Sequence, residues 1–251
     1  MSDDRRVMFV SGGSRGIGAG LVVGAAKAGL DVAFTYRTHG AAAESVVRRA
    51  LESAPGRTIR AYELDVRDPE AVERVGDVVL DEFGHVDVVV ANAGITRVGL
   101  AFSTTNEDWR EVIDTNLTGA FWVTRHFLAS MLARRWGRIV YVSSVAANGM
   151  TGDPAYCASK AGLLGLTKAM AKEYGRKGVT ANALILGLFE TDMSAEGVSE
   201  RNRSFYETYC PVGRPGQIDE VTAMVLHLAR DVSGFINGQT LGLTGGLDWY
   251  Q

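Results

Sequence analysis

Short runs of β-branched and apolar residues alternate along this chain with longer segments of helical period, and that alternation limits the fold more than any other feature. Val7–Ser11 precedes Gly16–Ala28, Asp31–Tyr36 precedes Ala41–Ser53, and Thr58–Leu64 precedes Pro69–Phe83. Val86–Ala91 follows, then a helical stretch over Asn106–Arg135, then Arg138–Ser143, Pro154–Arg176, Val179–Ile185 and a last strand near Gln239–Leu243. Runs such as Val86-Asp87-Val88-Val89-Val90-Ala91 and Ile139-Val140-Tyr141-Val142 are nearly continuously apolar. Strands of that kind belong to parallel sheets covered on both faces. The pattern predicts an α/β protein built on a doubly wound parallel sheet. With 251 residues, no Pro/Gly/Ser-rich linker and no internal repeat, the chain reads as a single domain.

Composition narrows the function classes. A net charge of −3 with no basic arm argues against nucleic-acid binding. No stretch of eighteen apolar residues is present to span a membrane. The polar start MSDDRR runs straight into a strand, so no signal peptide is expected. Cys157 and Cys210 form neither a disulfide framework nor a metal motif, so no metal is expected and the cytoplasm is the default location.

Three local patterns carry chemistry. Ser11-Gly12-Gly13-Ser14-Arg15-Gly16-Ile17-Gly18 closes the first strand and opens a helix. Glycines there let a phosphate approach the backbone, and the helix start offers free N–H groups to it. The spacing is G-x3-G-x-G, and such a loop alone is also compatible with a plain tight turn. An NAD site places an acid at the end of the second strand, yet here the chain reads Thr35-Tyr36-Arg37-Thr38. Arg37, with Arg15 opposite, suits the 2′-phosphate of NADP(H).

The third pattern is Tyr156-Cys157-Ala158-Ser159-Lys160, with Ser144 twelve residues upstream. On a helix, Lys160 lies one turn from Tyr156. A nearby cation is expected to lower the phenol pKa from ~10; about three units, roughly 4 kcal/mol, makes it an acid usable near neutrality. A Tyr and a Lys four apart also occur on ordinary helices, so the pattern needs company.

Together these motifs resemble the short-chain dehydrogenase/reductase family over nearly the full length, which implies a Rossmann-like fold. Dinucleotide binding would then occupy about residues 1–145, and catalysis with substrate binding about 146–251. Asn92-Ala93-Gly94, Leu64-Asp65-Val66, Asn116-Leu117-Thr118-Gly119 and Ser144 match further family segments in the family's order. The resemblance implies that Tyr156 donates a proton to a substrate carbonyl, that Ser144 hydrogen-bonds the same oxygen, and that Lys160 tunes Tyr156 and binds the nicotinamide ribose. It implies that Asn116 holds a proton-relay water through its backbone carbonyl. Cofactor contacts are implied for Gly12, Ser14, Arg15, Ile17, Gly18, Arg37, Asp65, Val66, Asn92, Ala93, Gly94, Gly187, Leu188 and Thr191, besides Tyr156 and Lys160. Leu186 stands where the family usually has proline, and its presence is expected to loosen the loop that follows.

Within the family, the β-ketoacyl-(acyl-carrier-protein) reductases of fatty-acid and polyketide synthesis are most similar. That implies NADPH-dependent reduction of a 3-oxoacyl thioester, with an acidic carrier protein docked on Arg135 and Lys177 near the mouth of the site. The bland alternative for both residues is the preference of helix C-termini for cations. A free-standing reductase of small or polycyclic ketones is the second reading, and a catalytically silent nucleotide-binding regulator the third. The long helices Asn106–Arg135 and Pro154–Arg176 are expected to build a homotetramer, or a dimer. Ser194–Pro211 is expected to cover the substrate.

Overall fold

In the computed structural model, which describes residues 5–191 and 200–247, seven parallel strands form one sheet with helices on both faces. The elements are β1 (Val7–Val10), α1 (Gly16–Lys27), β2 (Asp31–Tyr36), α2 (Gly40–Ser53), β3 (Ile59–Glu63), α3 (Pro69–Phe83) and β4 (Val88–Ala91). Then come α4 (Asn106–Ile113), α5 (Gly119–Arg134), β5 (Gly137–Ser144), α6 (Pro154–Tyr174), β6 (Val179–Leu186), α7 (Glu200–Tyr209), α8 (Ile218–Leu228) and β7 (Thr240–Leu243). The strand order is β3-β2-β1-β4-β5-β6-β7. The chain therefore winds outward in one direction from β1 to β3 and in the other from β4 onward. A crevice opens between β1 and β4 at their carboxyl ends, the usual ligand site of such sheets. The expected single-domain, doubly wound, Rossmann-like architecture is the one observed.

The alternation of side chains along each strand sorts the core into two layers. Met8, Val10, Val88, Val90, Val140 and Val142 face α1, α2 and α8, meeting Leu21, Val22, Val46, Val221 and Val225. Val7, Phe9, Val89, Ala91, Ile139 and Tyr141 face α3, α5 and α6, meeting Val79, Val123, Phe127, Met131 and Leu163. At about 1.5–3 kcal/mol for each large side chain fully buried, these layers dominate the stability. Both faces are covered because both faces of the central strands β1, β4 and β5 are apolar and buried.

Three local outcomes differ from the sequence reading. The expected helix over 106–135 is two helices joined by a wide turn at Asp114–Thr118, where the Gly119 N–H bonds the Asp114 carbonyl five residues back. Helix α8 is an additional element, in which Val221, Val225 and Leu228 keep helical spacing behind Asp219 and Glu220. It packs on α1, where Cβ atoms added at Gly20 and Gly24 would come within 2.1 and 2.2 Å of Ile218 and Thr222. Leu186 does not loosen its loop: it is the last residue of β6, buried and paired with Ser144 and Leu243. The Gly187 N–H then bonds the Leu243 carbonyl, and Phe189 bridges to Gly216. Of the expected substrate cover over 194–211, residues 194–199 lie outside the described residues. The remainder forms α7, whose Tyr206 is buried against Leu188 and Leu247. Among the described residues no helix is long and apolar enough to cross a membrane.

Candidate active site

The carboxyl ends of β1 and β4 are tied by side chains that the motifs placed far apart in sequence. The Ser11 hydroxyl accepts from the Asn92 and Ala93 N–H groups, while the Asn92 amide donates to the Ser11 and Gly12 carbonyls at 3.0 and 2.9 Å. Gly12 (φ 70°) lies against Ala93, and a Cβ at Gly18 would stand 2.1 Å from the Gly12 carbonyl oxygen. Glycine is thus required at both places by close backbone approach. Helix α1 begins at Gly16 with no side-chain cap and no acid in its first turn. Its free N–H groups point into the crevice and suit an anion.

The crevice encloses about 480 Å³ and is lined along one wall by Gly12, Ser14, Arg15, Ile17 and Gly18. Arg37, Asp65 and Val66 line one end; Asn92, Ala93 and Gly94 form the floor; Gly187, Leu188 and Thr191 close the far side. Ser144, Tyr156 and Lys160 lie in the same cavity. Every expected cofactor residue therefore lines one cleft. Asn116 sits just behind it, its side chain bonded to both backbone groups of Ile95 and to the Ser159 hydroxyl. A Cβ at Gly94 would approach the Asn116 amide oxygen at 3.3 Å and the Lys160 ammonium at 3.4 Å, so these three groups adjoin.

The end that would receive an adenosine ribose carries no carboxylate at the end of β2. Arg37 there reaches Glu111 at 3.6 Å, and Glu111 also pairs with Arg67 and Arg97. Arg67 holds the Asp65 carboxylate through two nitrogens, which keeps that carboxyl below its ordinary range. The cradle of glycines, the uncapped helix and the cation at the ribose end fit a dinucleotide.

Two serines at the end of β5 divide as strand alternation requires. Ser143 is buried and donates to the Lys160 carbonyl, anchoring α6 to the sheet. Ser144 hydrogen-bonds the Tyr156 hydroxyl. The expected lowering of the Tyr156 pKa by Lys160 is not found in this geometry. Burial pushes the phenol up to about 12, with Ser144 pulling the other way. The Lys160 ammonium sits 5.4 Å from the ring centre and donates to the Val142 carbonyl at 2.8 Å. Burial also lowers Lys160 itself to about 8. Desolvation outweighs the cation's pull on the phenol because both groups are withdrawn from water together.

Arg135 and Lys177 are placed differently from expectation. Arg135 ends α5 in the left-handed region (φ 52°), two residues before β5, and Lys177 precedes β6. They adjoin, since a Cβ at Gly178 would stand 2.0 Å from the Arg135 carbonyl oxygen. Both lie at the amino ends of their strands, whereas Ser144 ends β5 seven residues later. At ~3.3 Å per residue that is about 23 Å along the strand. Within one chain the pair is therefore not at the mouth. Their places just before the starts of β5 and β6 already set them at the amino ends of a parallel sheet, opposite the cleft.

Comparison with known proteins agrees with this geometry. A family model described as enoyl-(acyl carrier protein) reductase matches residues 12–248. The chain belongs to the short-chain dehydrogenase/reductase family. A 3-oxoacyl-[acyl-carrier-protein] reductase of Synechocystis is 39% identical, with 96% of each chain covered. The Escherichia coli protein of that name is 34% identical over 98% of this chain and 99% of its own. An acetoacetyl-CoA reductase of Rhizobium meliloti is 42% identical over 96% of this chain and 98% of its own. Among solved structures, a Serratia marcescens short-chain dehydrogenase/reductase variant superposes with a TM-score of 0.90 at 30% identity, covering 97% of this chain and 98% of that one. This chain is accordingly an oxidoreductase that uses a nicotinamide cofactor.

Lys160 offers a direct check on the site's electrostatics. The unfolded lysine titrates near 10.5 and the folded one near 8, so below pH 8 both are charged and burial costs about 3 kcal/mol. Between pH 8 and 10.5 the unfolded chain binds more protons, so stability rises with pH in that window. Lys160→Met is expected to abolish turnover yet raise Tm by several degrees at pH 7, with the gain shrinking as pH climbs to 10. Thermal melts of both proteins across pH 7–10 measure it, and a Lys160→Met protein less stable at pH 7 would contradict it.

Proposed function

We propose that this enzyme reduces the ketone of a 3-oxoacyl thioester with NADPH, in fatty-acid or polyketide synthesis. The observation that carries the reading is the placement of Tyr156 and Ser144 together at the inner end of the dinucleotide cleft. The nicotinamide cofactor supplies the hydride that a ketone carbon must receive. Ser144 and Tyr156 bind the ketone oxygen, and Tyr156 gives it the proton as negative charge develops there. With its phenol near 12, Tyr156 stays protonated through the physiological range, as a proton donor in reduction must. Lys160, held on Val142 beside Gly94 and Asn116, fixes the ribose and keeps a positive charge near the oxygen. Asn116 lies in the widened turn, adjoining Gly94 and Lys160, in line with a water relay to Lys160.

NADP(H) is favoured over NAD(H) because Arg37 and Arg15 both line the cleft and the end of β2 carries Arg37 where an NAD site carries an acid. Glu111 competes for Arg37, so the 2′-phosphate must displace a weak, exposed ion pair. We take the acyl carrier protein as the donor of the thioester, in line with the relatives named for it. A carrier held on Arg135 and Lys177 would have to serve a neighbouring protomer's cleft. A coenzyme A thioester is the second reading, favoured by the 42% identity to an acetoacetyl-CoA reductase and by the distance of that basic pair from the cleft. A homotetramer is the assembly we infer, from exposed Trp109 on α4, the exposed strip Ala158, Ala161 and Gly165 on α6, and exposed Val232 and Phe235 before β7. Two free cysteines accord with a cytoplasmic setting.

Kinetics with acetoacetyl groups on carrier protein, on coenzyme A and on a small thioester, beside a crotonyl thioester and plain ketones, decide the substrate. Reduction of the 3-oxoacyl thioesters is expected, with Tyr156→Phe lowering kcat by roughly 10² or more. Turnover of the crotonyl thioester in preference would make the enzyme an enoyl reductase instead. Isothermal titration tests the cofactor: Arg37→Ala should weaken NADPH by about 1.5–3 kcal/mol and leave NADH nearly alone. Equal losses would show that Arg37 does not read the phosphate.

A further inference from the structure

The ion pair between Arg37 and Glu111 is one edge of a larger cluster of charges at the ribose end of the cleft. Glu111 lies on α4, and its side chain is 23% exposed. Its Oε1 faces Arg67 at 3.2 Å and Arg37 at 3.6 Å, while Oε2 takes Arg97 at 2.6 Å. The three arginines follow β3, β2 and β4, so one carboxylate gathers the cations of three loops. Further acids stand among them. Asp65 is held by Arg67 and is within electrostatic reach of Arg37, Asp108 faces Arg97 at 3.6 Å, and Asp114 acts on Arg67.

The cluster thus sets four carboxylates against three guanidiniums and is net negative before any cofactor arrives. A phosphate monoester brings about −1.5 to −2 more at pH 7. NADPH carries that group on its ribose, and NADH carries a hydroxyl there. The surplus acid therefore opposes one cofactor and is nearly indifferent to the other. Glu111 is also the member that the loops need least. Arg67 stays fixed by Asp65 through short bonds, and Arg97 stays fixed by the Thr96 carbonyl and Asp108. Asp65 lines the cleft beside Arg37, whereas Glu111 is not among the residues that line it. What Glu111 contributes at Arg37 is mainly its charge.

We propose that Glu111 sets the cofactor preference: its carboxylate competes with the 2′-phosphate for Arg37, so that NADP(H) binds less tightly than the site's arginines allow. It is a positioning residue acting through Arg37, and it rests on the NADP(H) reading of the cleft. Arg97 moderates it from the other side, because a carboxylate oxygen engaged by Arg97 draws less on Arg37.

Isothermal titration of the enzyme with NADPH and with NADH tests this at low and high salt. Glu111→Gln keeps the shape and removes the charge. It should tighten NADPH about threefold to fivefold at low salt, the worth of one exposed ion pair, and leave NADH unchanged. The gain should shrink at high salt, where the carboxylate is screened. Arg97→Gln should weaken NADPH about twofold, and the loss should vanish in the Glu111→Gln/Arg97→Gln double variant. Melting curves show which variants are folded, and Arg97→Gln keeps the test intact if Glu111→Gln is not. Unchanged NADPH binding in Glu111→Gln overturns the proposal. So does an equal loss for both cofactors, which would make Glu111 a scaffold for the loops. If the natural enzyme binds NADH as tightly as NADPH and Arg37→Ala alters neither, the NADP(H) reading itself has failed.

Discussion

The structure depends on one close contact: the turn after β1 pressed against the end of β4. Ser11 and Asn92 exchange hydrogen bonds across that gap, and only glycine at 12 and 18 lets the backbones come so near. The contact falls where the strand order reverses, so it forms the crevice and at the same time opens the uncapped start of α1 into it. Ser143, one residue from Ser144, then ties β5 to α6 through the Lys160 carbonyl. Cofactor cradle and reactive groups are thereby set on adjacent parts of one rigid sheet, as a reaction between two bound partners requires.

The reactive end is built from groups that burial disfavours. Lys160 is held charged where charge is costly, and the Tyr156 phenol is held neutral by the same withdrawal from water. Stability lost there is offset by the two apolar layers that close on the sheet. In a dry cleft a cation and an oriented hydroxyl act on a developing oxyanion with little screening. The energetic cost at Lys160 and its catalytic use therefore have one cause.

Much of this was legible in the sequence. Doubly apolar strand runs required helices on both faces, and motif spacing brought Gly12, Asn92, Ser144 and Tyr156 to one cleft because all follow strand ends. What was not legible depended on the third dimension. Strand alternation separated Ser143 from Ser144, and the places of Arg135 and Lys177 just before strand starts set them at the amino ends once the sheet is parallel. A cation four residues from a tyrosine looks like an acidifying neighbour until its ammonium is seen bound to Val142 and both groups are seen buried. Leu186 in place of proline looked like a loosened loop, yet it pairs with Ser144 and Leu243 as the last residue of β6. Helix α8 was readable from Val221, Val225 and Leu228, and its polar Asp219-Glu220 start should have marked it.

The central claim is that the ketone carbon receives hydride inside this cleft while its oxygen receives the proton of Tyr156. A single-turnover reaction with NADPH carrying deuterium at both hydrogens of the nicotinamide 4-position tests it most directly. Mass spectrometry of the product from an acetoacetyl thioester should show one deuterium at the former ketone carbon and none elsewhere. Oxidation of the cofactor without label at that carbon would contradict the account, as would label at the neighbouring carbon.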